Sequence, residues 1–566
     1  MNLNTKAKKQ NTYDAIVVGS GISGGWAAKE LTEKGLKTLV LERGYEIKHP
    51  DDYETAMKDP WDLKHRGKVT QEQLKTTKEK QQRIGYLTEE IAHMFVDDTE
   101  NPYSEVKRFD WLRGYHTGGR SIMWGRQSYR WSPMDFESNA KDGFGVDWPI
   151  RYDDLAPWYD YVEGFAGISG QNEGLEQLPD GNFLPPMEMN CLEKHAAQKV
   201  RENFNDRIIT IGRVANLTVA HNGRNHCMYR NRCARGCPYG AYFSSLSSTL
   251  PAAAKTGNMT LRHNSIVNSV IYDKEQGKAT GVRVIDAESG EMQEFYAKII
   301  FLNASAVGSA FILMNSVDEV FPNGLGNTSG TLGHYLMDHH FRTGARGEFD
   351  GFADQYYSGR RANGIYIPRF RNIKEKHPDF VRGYGYQGGA SRESWMRGVA
   401  EMGFGDEFKQ QMVVPGPWSM GLGGFGETLP YFENKVTLDK ENLDKWGQPT
   451  VKFDCEFKEN EQKMRVDMQN SAAEILEAAG LKNISTYDAG SYPGQGIHET
   501  GTCVMGKDKK TSMLNKNNQL HEVSNVFVTD GACMSSAACQ NPSLTYMALT
   551  ARACDFAVSE LKKNNI

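Results

Sequence analysis

One stretch near the N-terminus restricts the fold more than any other. Residues 13–43 read YDAIVVGSGISGGWAAKELTEKGLKTLVLER, and Ala15-Ile16-Val17-Val18 is a short apolar run of the kind a buried parallel strand shows. Gly19-Ser20-Gly21-Ile22-Ser23-Gly24 follows at once. Gly19, Gly21 and Gly24 permit a tight turn, a side-chain-free approach for a pyrophosphate, and close packing of the next helix, whose N-terminal amides and dipole attract phosphate charge. A second apolar run, residues 38–41, ends in Glu42, placed where a carboxylate can accept hydrogen bonds from ribose hydroxyls. A GxGxxG alone arises by chance. With strand, helix and acid in place, it predicts a dinucleotide site at the head of an α/β domain.

A chain of 566 residues exceeds what one core needs, so two or more domains are expected. The net charge of -5, from 66 basic and 71 acidic residues, excludes the strongly basic profile of a nucleic-acid or anionic-membrane binder and points to a small substrate. No apolar run reaches the roughly 18 residues a transmembrane helix needs. The opening MNLNTKAKKQNTYD is basic but runs straight into the first strand, unlike a Sec signal. Nine cysteines in a chain of this length do not make a disulfide framework.

Further along, residues 46–110 read as a polar, partly helical excursion with no evident chemistry. The segment GYHTGGRSIMWG (114–125) crowds small residues before a tryptophan, which permits backbone approach to a flat ligand or makes an ordinary loop entering a helix. WPIRYDDLAPWYDYVE suggests a helix lying across another layer. Residues 261–303 alternate strands and turns, a β-meander returning to a buried strand, and 305–315 follow as a helix. Residues 341–490 complete a substrate domain, within which GFGETLPYFENKVTLDKENLDKWGQPTVKFDCEF (424–457) reads as strands and turns that would form a sheet over the bound dinucleotide. There Glu427 and Asn434 are candidates for binding substrate hydroxyls, and Tyr356, Tyr357, Trp395 and Trp418 for stacking on a ring or for core packing.

Two constellations carry chemistry. His498 lies in PGQGIHETGTCVMG, bracketed by glycines and followed by Glu499 and Thr500 as orienting groups; a histidine suits proton abstraction near neutral pH, and a satisfied loop histidine is the alternative. Cys227, Cys233 and Cys237 fall within eleven residues, in CMYRNRCARGCP. Three readings stay open: an iron–sulfur cluster, its thiolates favoured by Arg230, Arg232 and Arg235; a zinc site completed by His226; and unligated surface thiols.

The GSGISGG turn with Glu42, GGRSIMWG, ASAVGSAFILMNS, GLGNTSGTLGHYLMDHH and VFVTDGACMSSAACQNPSLTYMALTARA occur in an order that resembles the glucose-methanol-choline (GMC) flavoprotein oxidoreductases, over nearly the whole chain. Within them it looks most like the large subunits of bacterial gluconate 2-dehydrogenase and glucoside 3-dehydrogenase type sugar dehydrogenases. The resemblance implies a mixed α/β fold: a Rossmann-like FAD-binding domain (12–150, 245–345 and 490–566) interleaved with a β-sheet substrate domain (151–244, including the Cys-rich insert 224–240, and 346–489). It implies FAD, with Gly19, Gly21 and Gly24 at the pyrophosphate, Glu42 and Arg43 at the adenosine end, Val267 at the adenine, Asp530 and Gly531 near the ribityl-pyrophosphate, and Gly118, Gly119, Ser121, Trp124, Asn541, Pro542 and Ser543 at the flavin. Some relatives attach the flavin covalently to a histidine near this segment; here Met123 precedes Trp124, which implies non-covalent FAD, with His116 the nearest histidine in sequence.

By the same resemblance His498 is the catalytic base and Asn541 its partner at the substrate oxygen, while Cys227, Cys233 and Cys237 hold a 3Fe-4S cluster. The implied reaction is oxidation of a sugar or glycoside hydroxyl, with electrons passing to a c-type cytochrome or quinone acceptor. The implied setting is the periplasm, reached with a small partner subunit that bears the export signal, or alternatively the cytoplasm. Glucose 1-, gluconate 2- and fructose 5-type dehydrogenases, an oxygen-using oxidase and a non-redox flavoprotein are the other readings.

Overall fold

The computed structural model describes residues 12–356, 361–393 and 403–566. Its N-terminal strand, Thr12–Val18, is buried on both faces over Ala15–Val18, which is why that stretch carries no polar alternation. It pairs in parallel with Thr38–Leu41 on one side and Met292–Leu302 on the other. Met259–Arg262 extends the sheet beyond Thr38–Leu41, and Val526–Val528 adds to Met292–Leu302, both in parallel. The expected meander is Ser265–Asp273, Lys278–Asp286 and Met292–Leu302, joined antiparallel, and Ala306–Asn315 is the helix that follows.

The register decides where a ligand can lie. Val18 pairs with both Leu41 and Leu302, and Leu302 pairs with Val528, so four parallel strands end level with one another. Gly19, Glu42, Asn303 and, two residues past its strand, Asp530 therefore stand at one crevice, the usual ligand position outside the carboxyl ends of a parallel sheet. The helix Ile22–Glu33 leaves this crevice with its N-terminus toward it. Trp26, Ala27, Ala28 and Leu31 are buried, and Trp26 packs edge-on to Phe165 of the helix Tyr152–Ala166.

A second, six-stranded antiparallel sheet runs in the order Lys482–Asp488, Thr343–Phe349, Trp418–Gly426, Tyr384–Arg392, Ile365–Ile367, Thr210–Ile211. One face is covered by the helix Glu459–Ala478, whose Met464, Met468, Ala472, Ile475 and Leu476 share a core with Trp418, Met420, Leu422 and Tyr386. Gly424 lets that helix approach: a Cβ there would stand 2.7 Å from the Met468 sulfur. Residues 424–457 do not form one sheet over the crevice, since Lys435–Leu443 and Pro449–Asp454 pair as a hairpin in a separate three-stranded sheet with Ser104–Glu105. The excursion 46–110 contains one short α-helix, Gln71–Lys75, and several 3-10 turns.

Candidate active site

An elongated cavity of about 410 Å³, open to solvent in part, runs from the strand ends into the space between the two large sheets. At the strand-end side it is lined by Gly19, Gly21, Glu42, Arg43, Val267, Asp530 and Gly531. Gly24 is not on the wall: a Cβ there would lie 1.9 Å from the Gly19 carbonyl oxygen, so it serves helix–turn packing, whereas a Cβ on Gly21 would meet nothing within 4 Å. Glu42 accepts from the Ser20 backbone N–H at 3.1 Å, from the Ser20 hydroxyl and from the Gly44 N–H at 2.9 Å, yet burial pushes its carboxyl above the ordinary range. Burial likewise raises Asp530 to about 6, with Ser309 and the Ala532 N–H donating to it at 2.6 and 2.9 Å.

Gly119, Ser121, Met123 and Trp124 form the middle of the wall. Gly118 lies behind them, in the left-handed region at φ 82°, and donates its N–H to the Ser20 hydroxyl. His116 is fully buried outside the cavity, with Nδ1 bound to the Thr117 carbonyl, so Met123 and not His116 lines the cavity here. Arg120 and Glu499 close the wall with a two-point ion pair of 2.6 and 3.0 Å.

The far end holds His498 and Asn541, with Pro542 and Ser543. Asn541 Nδ2 is 3.1 Å from His498 Nε2, and His498 Nδ1 is 2.7 Å from Nδ1 of His339, whose Nε2 is 2.9 Å from the Ala538 carbonyl oxygen. Buried Asp338 accepts the backbone N–H groups of Gly496 and His498 at 2.8 and 2.9 Å and so pins the loop that carries the histidine. Burial depresses the pKa of His339 to about 4 and that of His498 well below its usual value, so both rings are neutral at physiological pH. Burial and, next, repulsion by Glu499 raise Asp338 to about 7.

His339 was not singled out by sequence reasoning, although it lies in the GHYLMDHH segment, 159 residues from its partner. Tyr86, Phe341, Asn363, Gln387 and Phe425 also line the cavity and carried no sequence signal. The proposed hydroxyl ligands of 424–457 are elsewhere. Glu427 is fully buried in an ion pair with Arg382, and Asn434 is consumed by the Glu456 backbone. Trp418 is buried under the helix Glu459–Ala478 and Tyr356 is exposed, neither on the cavity wall; Tyr357 and Trp395 fall outside the described residues.

Comparison with known proteins follows this geometry. The GMC oxidoreductase profile matches residues 13–341 with its N-terminal part and 430–550 with its C-terminal part. The chain belongs to the GMC oxidoreductases. It is 28% identical to 2-methyl-1,2-propanediol dehydrogenase of Mycolicibacterium austroafricanum over 96% of its own length and 94% of that protein's. It is 24% identical to the fructose dehydrogenase large subunit of Gluconobacter japonicus (97% and 98% covered) and 25% identical to the gluconate 2-dehydrogenase flavoprotein of Pantoea cypripedii (96% and 93%). Pyridoxine 4-oxidase from Mesorbium loti shares the fold, with a TM-score of 0.58 at 16% identity over 96% of this chain and 98% of that one.

GMC oxidoreductases bind FAD, and the cavity has the chemistry such a ligand needs. Gly21 leaves open space, the helix Ile22–Glu33 offers its N-terminus, and the buried Arg43 Nε, Arg126 Nε and Asn303 Oδ1 on the wall lack protein partners.

The cysteine segment lies apart from this wall. Cys227 is buried, which raises its thiol, and Cys233 and Cys237 are near enough to raise it further. Among the described residues no three His, Cys, Asp or Glu side chains converge on a point that would hold a single ion, and His226 is exposed, which removes the support for the zinc reading. The same observation gives the 3Fe-4S reading no support from the described residues, so that reading rests on the resemblance and the cysteine spacing. The arginines expected to favour the thiolates point elsewhere. Arg230 donates to the Ala56 carbonyl, Arg232 pairs with Asp59, and Arg235 reaches the Thr55 and Lys58 carbonyls and Glu90, stapling the 55–59 loop over the segment.

Proposed function

We propose that this GMC oxidoreductase is a dehydrogenase that oxidises a secondary hydroxyl of a sugar or glycoside. The observation that carries the reading is neutral His498 paired with Asn541 on the wall of a cavity fit for FAD. FAD would supply a hydride acceptor when bound; Gly19, Gly21, Glu42, Arg43, Val267, Asp530 and Gly531 would hold its dinucleotide portion, and Gly119, Ser121, Trp124, Asn541, Pro542 and Ser543 would hold the ring. The substrate oxygen enters between His498 Nε2 and Asn541 Nδ2, replacing their mutual hydrogen bond. His498 Nε2 takes the hydroxyl proton, and Asn541 donates its N–H to the oxygen as the carbonyl forms. Asn363 offers an amide for a neighbouring hydroxyl, and the stacked Phe341 and Phe425, 5.3 Å apart, offer an apolar face for a pyranose ring.

Relatives named for fructose, gluconate and a propanediol support a polyhydroxylated substrate and a non-oxygen acceptor. Others are named paromamine 6'-oxidase and 6'''-hydroxyparomomycin C oxidase, which makes oxygen the competing acceptor. Cys227, Cys233 and Cys237 would hold a 3Fe-4S cluster, which supplies one-electron transfer. The relative named a large subunit supports a second subunit; an export signal on that subunit, a cytochrome or quinone acceptor and a periplasmic location complete the proposal. Among the described residues no helix is long and apolar enough to cross a membrane.

Anaerobic mixing with a panel of sugars and glycosides should bleach the flavin with one class, and product analysis should identify the carbon. His498→Ala should retain FAD but slow bleaching by about 10²- to 10⁴-fold, the usual share of a general base. Normal bleaching in that variant would remove His498 from the mechanism. Turnover with an artificial acceptor but not with oxygen separates dehydrogenase from oxidase.

A further inference from the structure

We infer that the Ala538 carbonyl sets the tautomer of His498, and that His339 on one side and Gln387 with Gln127 on the other are positioning residues that hold the base in that form. This rests on the reading of His498 as the base. A carbonyl oxygen can only accept, so His339 must present Nε2–H to Ala538. A neutral His339 then has a bare Nδ1, and the 2.7 Å contact requires His498 to donate Nδ1–H. His498 is left with a lone pair on Nε2, the atom that faces Asn541 and the cavity. Asn541 must turn its Nδ2 there and its Oδ1 away. Gln387 Nε2 donates to that Oδ1 at 2.8 Å, Gln127 Nε2 donates to Gln387 Oε1 at 3.1 Å, and Tyr129 O–H donates to Gln127 Oε1 at 2.6 Å. Every link points the same way, and one acceptor-only terminus dictates them all.

Neutral imidazole in water exchanges tautomers freely, and only one of them has its basic nitrogen at the substrate. Residues that never touch the reacting carbon thus select the reactive form. Around the ring stand His339, with His340 beyond it, the Arg120–Glu499 pair, Asp338 on the backbone amide, and the phenols of Tyr86 and Tyr546 beside Arg120. Arg120 and His339 both disfavour a charged His498.

The amide links can be turned from their far end while the Ala538 carbonyl still holds the two histidines. A carboxylate at 387 has no N–H, so in Gln387→Glu the Asn541 amide turns its Nδ2 outward and its Oδ1 onto His498 Nε2, which then has to carry a proton in addition to Nδ1–H, so that the ring is held as the cation and must lose that proton before it can act. Gln127→Glu forces the same reversal two amides away, without contact to Asn541. Gln387→Met removes the donor but reverses nothing.

The experiment is the rate of flavin reduction by substrate against pH in the FAD-loaded protein, with flavin content and melting temperature as controls. Gln387→Glu and Gln127→Glu should lose at least tenfold at pH 7 and move the rising limb upward by a pH unit or more. Gln387→Met should lose rate with no shift, His339→Leu should lose rate, and His339→Asn, which restores an acceptor, should recover part of it. In the wild type, ¹⁵N spectra of histidine-labelled protein should show His498 protonated at Nδ1. A wild-type profile in both Glu variants, or a wild-type His498 protonated at Nε2, overturns the inference, and the spectrum decides the matter even where a variant does not fold. His498→Ala separates the two readings. If it reduces flavin normally, the base assignment fails, whereas a slow His498→Ala beside unshifted Glu variants rejects only the relay.

Discussion

The ion pair Arg120–Glu499 offers the sharpest test of how the cavity wall is held. Glu499 keeps 1% side-chain exposure and Arg120 29%, and two charge-assisted hydrogen bonds join them. Arg120→Met leaves a buried carboxylate with no cation, a loss of about 3–5 kcal/mol. For 566 residues unfolding as one unit the entropy is about 1.2 kcal/mol/K, so the melting temperature should fall by about 3–4 °C. Arg120→Met/Glu499→Leu should regain most of this, because an apolar pair of similar volume removes the uncompensated charge. A thermal-unfolding cycle of the flavin-loaded wild type, both single variants and the double variant gives the coupling directly. If Arg120→Met melts with the wild type, or the double variant is no more stable than Arg120→Met, the pair is not what holds the wall.

Three further outcomes follow from particular positions. Gly24→Ala, whose methyl would collide with the Gly19 carbonyl, should impair folding, while Gly21→Ala should fold and lose FAD affinity; equal melting temperatures for the two apoproteins would contradict the division of roles. Asp338, raised to about 7 in the fold from an ordinary 3.8, contributes stability that is fully present below pH 4 and is lost as pH rises through 7. The melting temperature of the wild type relative to Asp338→Asn should therefore decline between pH 5 and 8, and a constant difference would refute the shift. Cys233→Ser should leave bleaching of FAD by substrate intact and abolish the paramagnetic signal of the isolated oxidised protein together with its roughly three irons; iron-free wild-type protein would reject the cluster.

Residues 13–43 were legible because every part of that motif is local: strand, turn, helix and acid follow one another, and their spacing alone brings Gly21 and Glu42 to one crevice. His498 and Asn541, which pair at 3.1 Å on the cavity wall, were singled out through resemblance, since nothing in their own flanking residues distinguishes a base from a satisfied histidine. Side chains whose fate depends on the opposing layer were not. Glu427 and Trp418 look the same in sequence whether they face a substrate or a core, and the packing of the helix Glu459–Ala478 and the position of Arg382 sent both inward. The arginines of the cysteine segment were assigned to the thiols by proximity in sequence, but carbonyls of the 55–59 loop lay within their reach in space.

The sequence by itself determined the dinucleotide crevice and the order of motifs that places this chain among the GMC oxidoreductases. Only the tertiary structure decided the state of His498. His339, Gln387 and Gln127 come from distant segments, and an imidazole or amide acquires a direction only when its partners are in place. A hydrogen-bond chain has no periodicity to read, because its order is that of donors and acceptors in space and its sense is set here by a single backbone carbonyl, that of Ala538.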